Sequence, residues 1–180
     1  MLGLVFTEFM EMVEQIYSLD MVDDLIDENE LSTGGAYTSV GTYELSELVS
    51  LVVSLSEKTG TPVPQLLEAF GQHLMKQFVR KYPAFFDEVN NSFDFLTKVH
   101  DHIHVEVKKL YSNAELPSIS VTSMDPQSAR VEYRSSRALG DLAQGLIKGV
   151  AVHYNEQVDV QRESLPPGDG THERFILRRH

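Results

Sequence analysis

The chain has 180 residues, 42% of them hydrophobic, enough for one domain, or one domain of two lobes, to bury a core unaided. It contains no cysteine, which excludes disulfides, thiolate metal sites and cysteine nucleophiles, and fits a reducing compartment. With 15 basic against 27 acidic residues the formal charge is −12, which argues against nucleic-acid or anionic-membrane partners, since both call for clustered lysine and arginine.

The opening Met1-Leu2-Gly3-Leu4-Val5-Phe6 has no basic stretch and soon meets Glu8 and Glu11, so it does not read as a signal peptide. No apolar run reaches bilayer-spanning length, and the expectation is a soluble cytoplasmic protein. Val5/Phe6, Phe9/Met10, Val13 and Ile16/Tyr17 recur at helical spacing and predict a first helix. A short second helix is expected over Met21–Ile26, and Ser32-Thr33-Gly34-Gly35 breaks the pattern. Leu45, Leu48, Val49, Val52, Val53 and Leu55 predict a third helix that stops at Gly60. Pro64 suits the first turn of a fourth, with Leu66, Leu67, Phe70, Leu74 and Phe78 inward and Pro83 ending it. A turn of helix is expected at Phe85-Phe86.

Asn91 or Ser92 can cap a long helix from about Phe93 to Leu110, whose stripe is Leu96, Val99, Ile103, Val107 and Leu110. After Pro117 the period becomes two, at Ile119 and Val121 and again at Val131-Glu132-Tyr133, with a turn at Asp125-Pro126. Helical spacing returns over Ala138–Tyr154, then Val158 and Val160 alternate. Pro166-Pro167-Gly168-Asp169-Gly170 makes a loop before Phe175-Ile176-Leu177. The fold class is α+β, with helices first and then an antiparallel β-β-α-β-β sheet unit. Each strand pair is a hairpin, because the turns are too short for a crossover.

Chemistry concentrates at Val99-His100-Asp101-His102-Ile103-His104. On a helix only His100 and His104 share a face, flanking the apolar stripe, while His102 points elsewhere. Three readings remain open on spacing: a packed histidine bonded to backbone, a two-histidine zinc site short of ligands, or one histidine holding a haem. Tyr133, Ser135 and Arg137, spaced by two at a strand end, leave one face with two hydroxyls and a guanidinium fork. They read either as a solvated strand end or as a carboxylate-binding set. Gly34-Gly35 lacks the residues of a phosphate loop, no Gly-x-Ser-x-Gly elbow exists, and Asp23-Asp24 and Asp27-Glu28 read as solvated helix faces.

Taken together, these clusters resemble the H-NOX (haem nitric oxide/oxygen binding) family, bacterial relatives of the haem domain of soluble guanylate cyclase. The resemblance runs over the whole chain. It rests on the Gly3–Phe9 start, Phe70-Gly71, the His104–Tyr111 segment, Pro117 thirteen residues after His104, and Tyr-x-Ser-x-Arg at 133, 135 and 137. It implies haem b (iron protoporphyrin IX) held between a helical lobe of about 1–62 and a second lobe of about 63–180. His104 is then the proximal iron ligand, Tyr133, Ser135 and Arg137 bind the propionates, and Pro117 presses on the porphyrin. Leu142 stands where oxygen-holding members carry a distal tyrosine, and Leu74 at the other polar distal position. Val5, Phe9, Phe78 and Leu146 add apolar wall. The implied function is that of a sensor and not an enzyme. Nitric oxide (carbon monoxide also binds) takes the iron opposite His104 and weakens that bond, and a separate histidine kinase or cyclic-di-GMP synthase or phosphodiesterase reads the change. A haem peroxidase or dioxygenase, with His73 as the nearest acid–base candidate, and a gas-storage protein are the competing readings. Relatives with a cysteine-rich zinc site near the C-terminus differ from this chain, so no structural zinc is expected, and His172 and His180 read as exposed.

Overall fold

A computed structural model describes residues 1–112 and 114–180, which form two compact units, Met1–Phe70 and Gly71–His180. In the first unit, α1 (Gly3–Ile16) buries Phe6, Phe9, Met12 and Val13, but the expected stripe ends there: Ile16 and Tyr17, at the end of the helix, are 58% and 38% exposed. Ser18 caps α2 (Leu19–Asp27), its hydroxyl accepting from the Met21 amide at 3.1 Å. The intervening break holds Gly34 and Gly35 at φ of 61° and 77°, backbone that glycine adopts at little cost. Helix α3 (Leu45–Thr59) ends on Gly60 at φ 70°. Its apolar run is longer than its buried face: Leu48, Leu51, Val52 and Leu55 are inside, whereas Val49 and Val53 are 47% and 40% exposed.

The boundary between the units falls inside α4 (Val63–Lys81). The second unit continues with α5 (Pro83–Asp87), α6 (Ser92–Lys98), a π-helical turn (Val99–Ile103) and α7 (His104–Leu110). Strands β1 (Ser118–Asp125) and β2 (Ser128–Arg134) come next, then α8 (Gly140–His153), β3 (Val158–Ser164) and β4 (His172–Arg179). The sheet order is β1-β2-β4-β3 with every neighbour antiparallel, so the fold is α+β with the expected hairpins. Val131, Tyr133, Phe175 and Leu177 alternate onto one face and pack with Ala143, Ile147 and Val150 of α8 and with Phe86, Phe95 and Leu96.

Periodicity predicts one uninterrupted helix from Phe93 to Leu110, and here the structure differs. Asn91 caps α6, accepting from the Asp94 amide at 2.9 Å, but the α-pattern yields at Val99 to a wider turn closed by the His104 amide on the Val99 carbonyl. The wider turn holds one residue more and shifts the phase of α7 by about 100°. Leu110, expected on the buried stripe, is 74% exposed, and α7 contains no fully buried residue. No helix among the described residues is long and apolar enough to cross a membrane.

Candidate functional site

His104 opens α7 directly after the π turn. Burial, the neighbouring His100 and Lys108 push its imidazole down to about 4, with the Pro117 backbone acting in the opposite direction. The ring is therefore neutral at pH 7, as a metal-ligating imidazole must be. The Pro117 backbone favours the charged ring, yet the buried Nδ1 closes no hydrogen bond of good geometry. The His100 and His104 rings lie 6.3 Å apart, and His102 faces Phe85 at 6.4 Å, 3.9 Å from Glu88. Among the described residues no group of three His, Cys, Asp or Glu is placed to hold a metal ion.

Tyr133 stands at the end of β2, 4% exposed. Burial pushes its phenol above the usual range, opposed by hydrogen bonds from Ser135 and the Leu139 backbone and by the charges of Arg137 and Arg162. The Ser135 amide donates to the Thr171 carbonyl at 2.9 Å, and the Ser135 hydroxyl accepts from the Arg137 amide at 3.2 Å. Ala138 adopts φ 51°, a left-handed conformation that non-glycine residues rarely take, which turns the chain sharply into α8. The Arg137 guanidinium, 17% exposed, grips Glu115 through Nη1 to the carbonyl at 2.5 Å and Nη2 to the carboxylate at 2.9 Å. Sequence pattern gives Glu115 no role, because only the fold brings it to Arg137. The short segment from Glu115 to Ile119 thus joins the clusters: Glu115 meets Arg137, Pro117 meets His104, and the Ile119 amide lies 3.5 Å from His100 Nδ1.

Leu74 and Leu142 are 2% and 7% exposed, and Phe78 and Leu146 are partly buried against the core. A Cβ on Gly71 would collide with the Leu142 carbonyl oxygen and lie 2.7 Å from the Leu146 amide nitrogen. Only glycine lets α4 come this close to the backbone of α8. Val5 and Phe9 belong to α1 in the first unit, Val5 half-buried and Phe9 fully buried with its ring edge-on to Phe70 at 5.3 Å. One histidine departs from expectation: His172 is only 14% exposed, 3.7 Å from Glu132 in a strand pairing that covers it, whereas His180 is 59% exposed.

The profile of the haem-NO-binding family matches residues 2–162. Among solved structures, the unliganded Fe(II) H-NOX protein from K. algicida shares 35% identity over 100% of this chain and 97% of its own, with a TM-score of 0.93. The H-NOX from Shewanella woodyi, solved with IWP-051 in the Fe(II)CO state, shares 37% over 100% and 95%, TM-score 0.85. The S. oneidensis H-NOX protein in the Fe(II)NO state shares 25% over 100% and 99%, TM-score 0.92. No curated protein matches the chain. The chain belongs to the haem-NO-binding, or H-NOX, family of haem-binding gas sensors.

Proposed function

We propose that this chain is a nitric oxide sensor in which His104 ligates the iron of haem b and a separate cytoplasmic signalling protein, not a catalytic site of its own, receives the output. The observation that carries the reading is the placement of His104: a mostly buried, neutral imidazole at the start of α7, its ring facing the Pro117 backbone on the same short segment whose Glu115 meets Arg137. The residues fit the cofactor in a second respect, since Arg137 Nη2 already pairs with a carboxylate oxygen of Glu115, and the same guanidinium would pair with a propionate with Tyr133 and Ser135 beside it. Bound haem would supply an iron able to take a diatomic gas, with His104 as the residue holding it. Leu74 and Leu142 offer no hydrogen-bond donor, which disfavours oxygen against nitric oxide and carbon monoxide. The π turn and α7, which hold no fully buried residue, are the elements that a change in the hold on His104 would bias. A histidine kinase or a cyclic-di-GMP enzyme is the partner class the family resemblance suggests.

Absorption spectra of the ferrous protein with and without nitric oxide, in wild type and His104→Gly, test this. Wild type is expected to shift on adding the gas, and His104→Gly to lose haem or keep it only with added imidazole. Full haem retention and an unchanged ferrous spectrum in His104→Gly would overturn the assignment.

A further inference from the structure

Behind the Tyr133–Arg137 turn lies an ion network separate from the residues proposed to hold the cofactor. Glu173 is 2% exposed and sits on β4 in phase with Phe175 and Leu177, opposite Tyr133 in the strand register. Its carboxylate accepts from Arg162 Nε at 3.0 Å and from the Ser164 hydroxyl at 3.3 Å. The other end of the same guanidinium reaches Asp141, in the first turn of α8, through Nη1 at 2.5 Å. A Cβ on Gly140 would collide with Arg162 Nη2 and lie 2.7 Å from its Cζ, so the helix start is seated directly on the guanidinium. Leu139, the residue preceding α8, provides no side-chain cap.

The turn that carries Ser135 and Arg137 has two ends. One is β2 at Tyr133, paired with β4 at Glu173. The other is the first turn of α8 at Gly140 and Asp141. Arg162 binds both, because its planar fork can hold one carboxylate along Nε and another at Nη1. Between those anchors the chain passes through Ala138 at φ 51°, a conformation that persists only where the surroundings impose it. We infer that Arg162, held by Glu173 and Asp141, is a positioning residue that sets the direction of the Arg137 fork and so the hold on a carboxylate-bearing ligand. The inference rests on the reading of Arg137 as a propionate clamp.

The experiment is a double-mutant cycle on haem transfer from the loaded ferric protein to apomyoglobin. Arg137→Ala is expected to speed transfer about 10- to 100-fold, the loss of a charge-assisted fork. Arg162→Met should speed it on the order of 3- to 10-fold, and by less than about twofold once Arg137 is already alanine, because a residue acting through the fork has nothing left to position. Arg162→Lys, which reaches one partner only, should fall between Arg162→Met and wild type. Asp141→Asn keeps the buried Glu173–Arg162 pair and guards against misfolding; it should accelerate transfer in the wild-type background alone. Equal acceleration by Arg162→Met and Asp141→Asn in both backgrounds would overturn the inference, since a merely structural role multiplies. Transfer unaltered by Arg137→Ala would overturn the clamp itself, and the inference with it, and is read from that single variant.

Discussion

Leu142 is 7% exposed and Leu74 2%, and neither side chain can donate a hydrogen bond. Replacing Leu142 with tyrosine puts a phenol on α8 at that buried position. One hydrogen bond to a partly charged oxygen is worth roughly 1.5–3 kcal/mol, or about 10- to 100-fold in affinity. Leu142→Tyr is therefore expected to tighten oxygen binding by that order and nitric oxide far less, as read by stopped-flow association and dissociation rates of the ferrous protein. Equal gains for both gases would count against a polarity filter at this residue. At this scale the sequence offered the candidates: His104, Tyr133, Ser135 and Arg137 stand out by type and spacing, and the family resemblance is what singles them out as a proposed site. The ion pairs around them did not stand out, because Glu115 reaches Arg137 across 22 residues and, behind that turn, Asp141 reaches Arg162 across 21. A signal was available for Glu173, a carboxylate in phase with Phe175 and Leu177 on the inward face of a strand. Such a buried charge requires a cation, since leaving one unpaired costs about 3–5 kcal/mol.

Glu47 on α3 makes the comparable case between elements. It is 6% exposed and takes hydrogen bonds from the Ser32 hydroxyl at 2.5 Å, the Thr33 hydroxyl at 2.7 Å, the Tyr37 hydroxyl at 2.6 Å and the Thr33 amide at 3.2 Å. Burial acts to raise its pKa, but the donors from Ser32, Tyr37 and Thr33 outweigh it and hold the carboxyl at about 2. The loop between α2 and α3 is thereby tied to α3 by one side chain. Glu47→Ala is expected to cost about 1–3 kcal/mol in chemical denaturation. Because the folded pKa lies below the ordinary 4.5, the stabilisation is complete above pH 4.5 and is lost as pH falls towards 2. The stability gap between wild type and Glu47→Gln should then stay constant from pH 7 to 4.5 and narrow below; a gap indifferent to acid would refute the account. Helix and strand order was legible because period 3.6 and period 2 differ plainly. The π turn was not, since Leu96, Val99, Ile103 and Val107 keep spacings of three and four whether or not a wide turn lies between them.

The whole chain divides its charge unevenly. Residues 1–70 hold thirteen acidic side chains and one basic, Lys58, while 71–180 hold fourteen of each, so the net −12 resides in the first unit. Lys58 is shared between Asp24 at 3.3 Å and Glu28 at 2.7 Å. The field around the first unit therefore favours basic surfaces, repels anionic ones and fades with salt over roughly 10 Å at 0.1 M. The second unit is electrically balanced through paired side chains such as Arg162, Arg174 and Arg179. Total composition revealed the excess of acid but not its confinement, which matters more for what can approach.

A π turn is what an α-helix becomes when it accommodates one inserted residue. The Val99–Ile103 turn can therefore be read as an insertion absorbed without disturbing α6, whose Phe95 and Leu96 stay buried. Excising exposed Asp101 should let 92–110 wind as a regular helix and keep the fold within roughly 1–2 kcal/mol of wild type, a typical cost for a tolerated change. Excising exposed Thr97 instead would rotate Phe95 and Leu96 against everything downstream, and should cost several times more. Thermal melts of the two deletions decide it, and equal losses would show that the turn holds no surplus. Tolerance of length change would then be confined to five residues of an otherwise incompressible helix, next to the one histidine proposed to hold the iron.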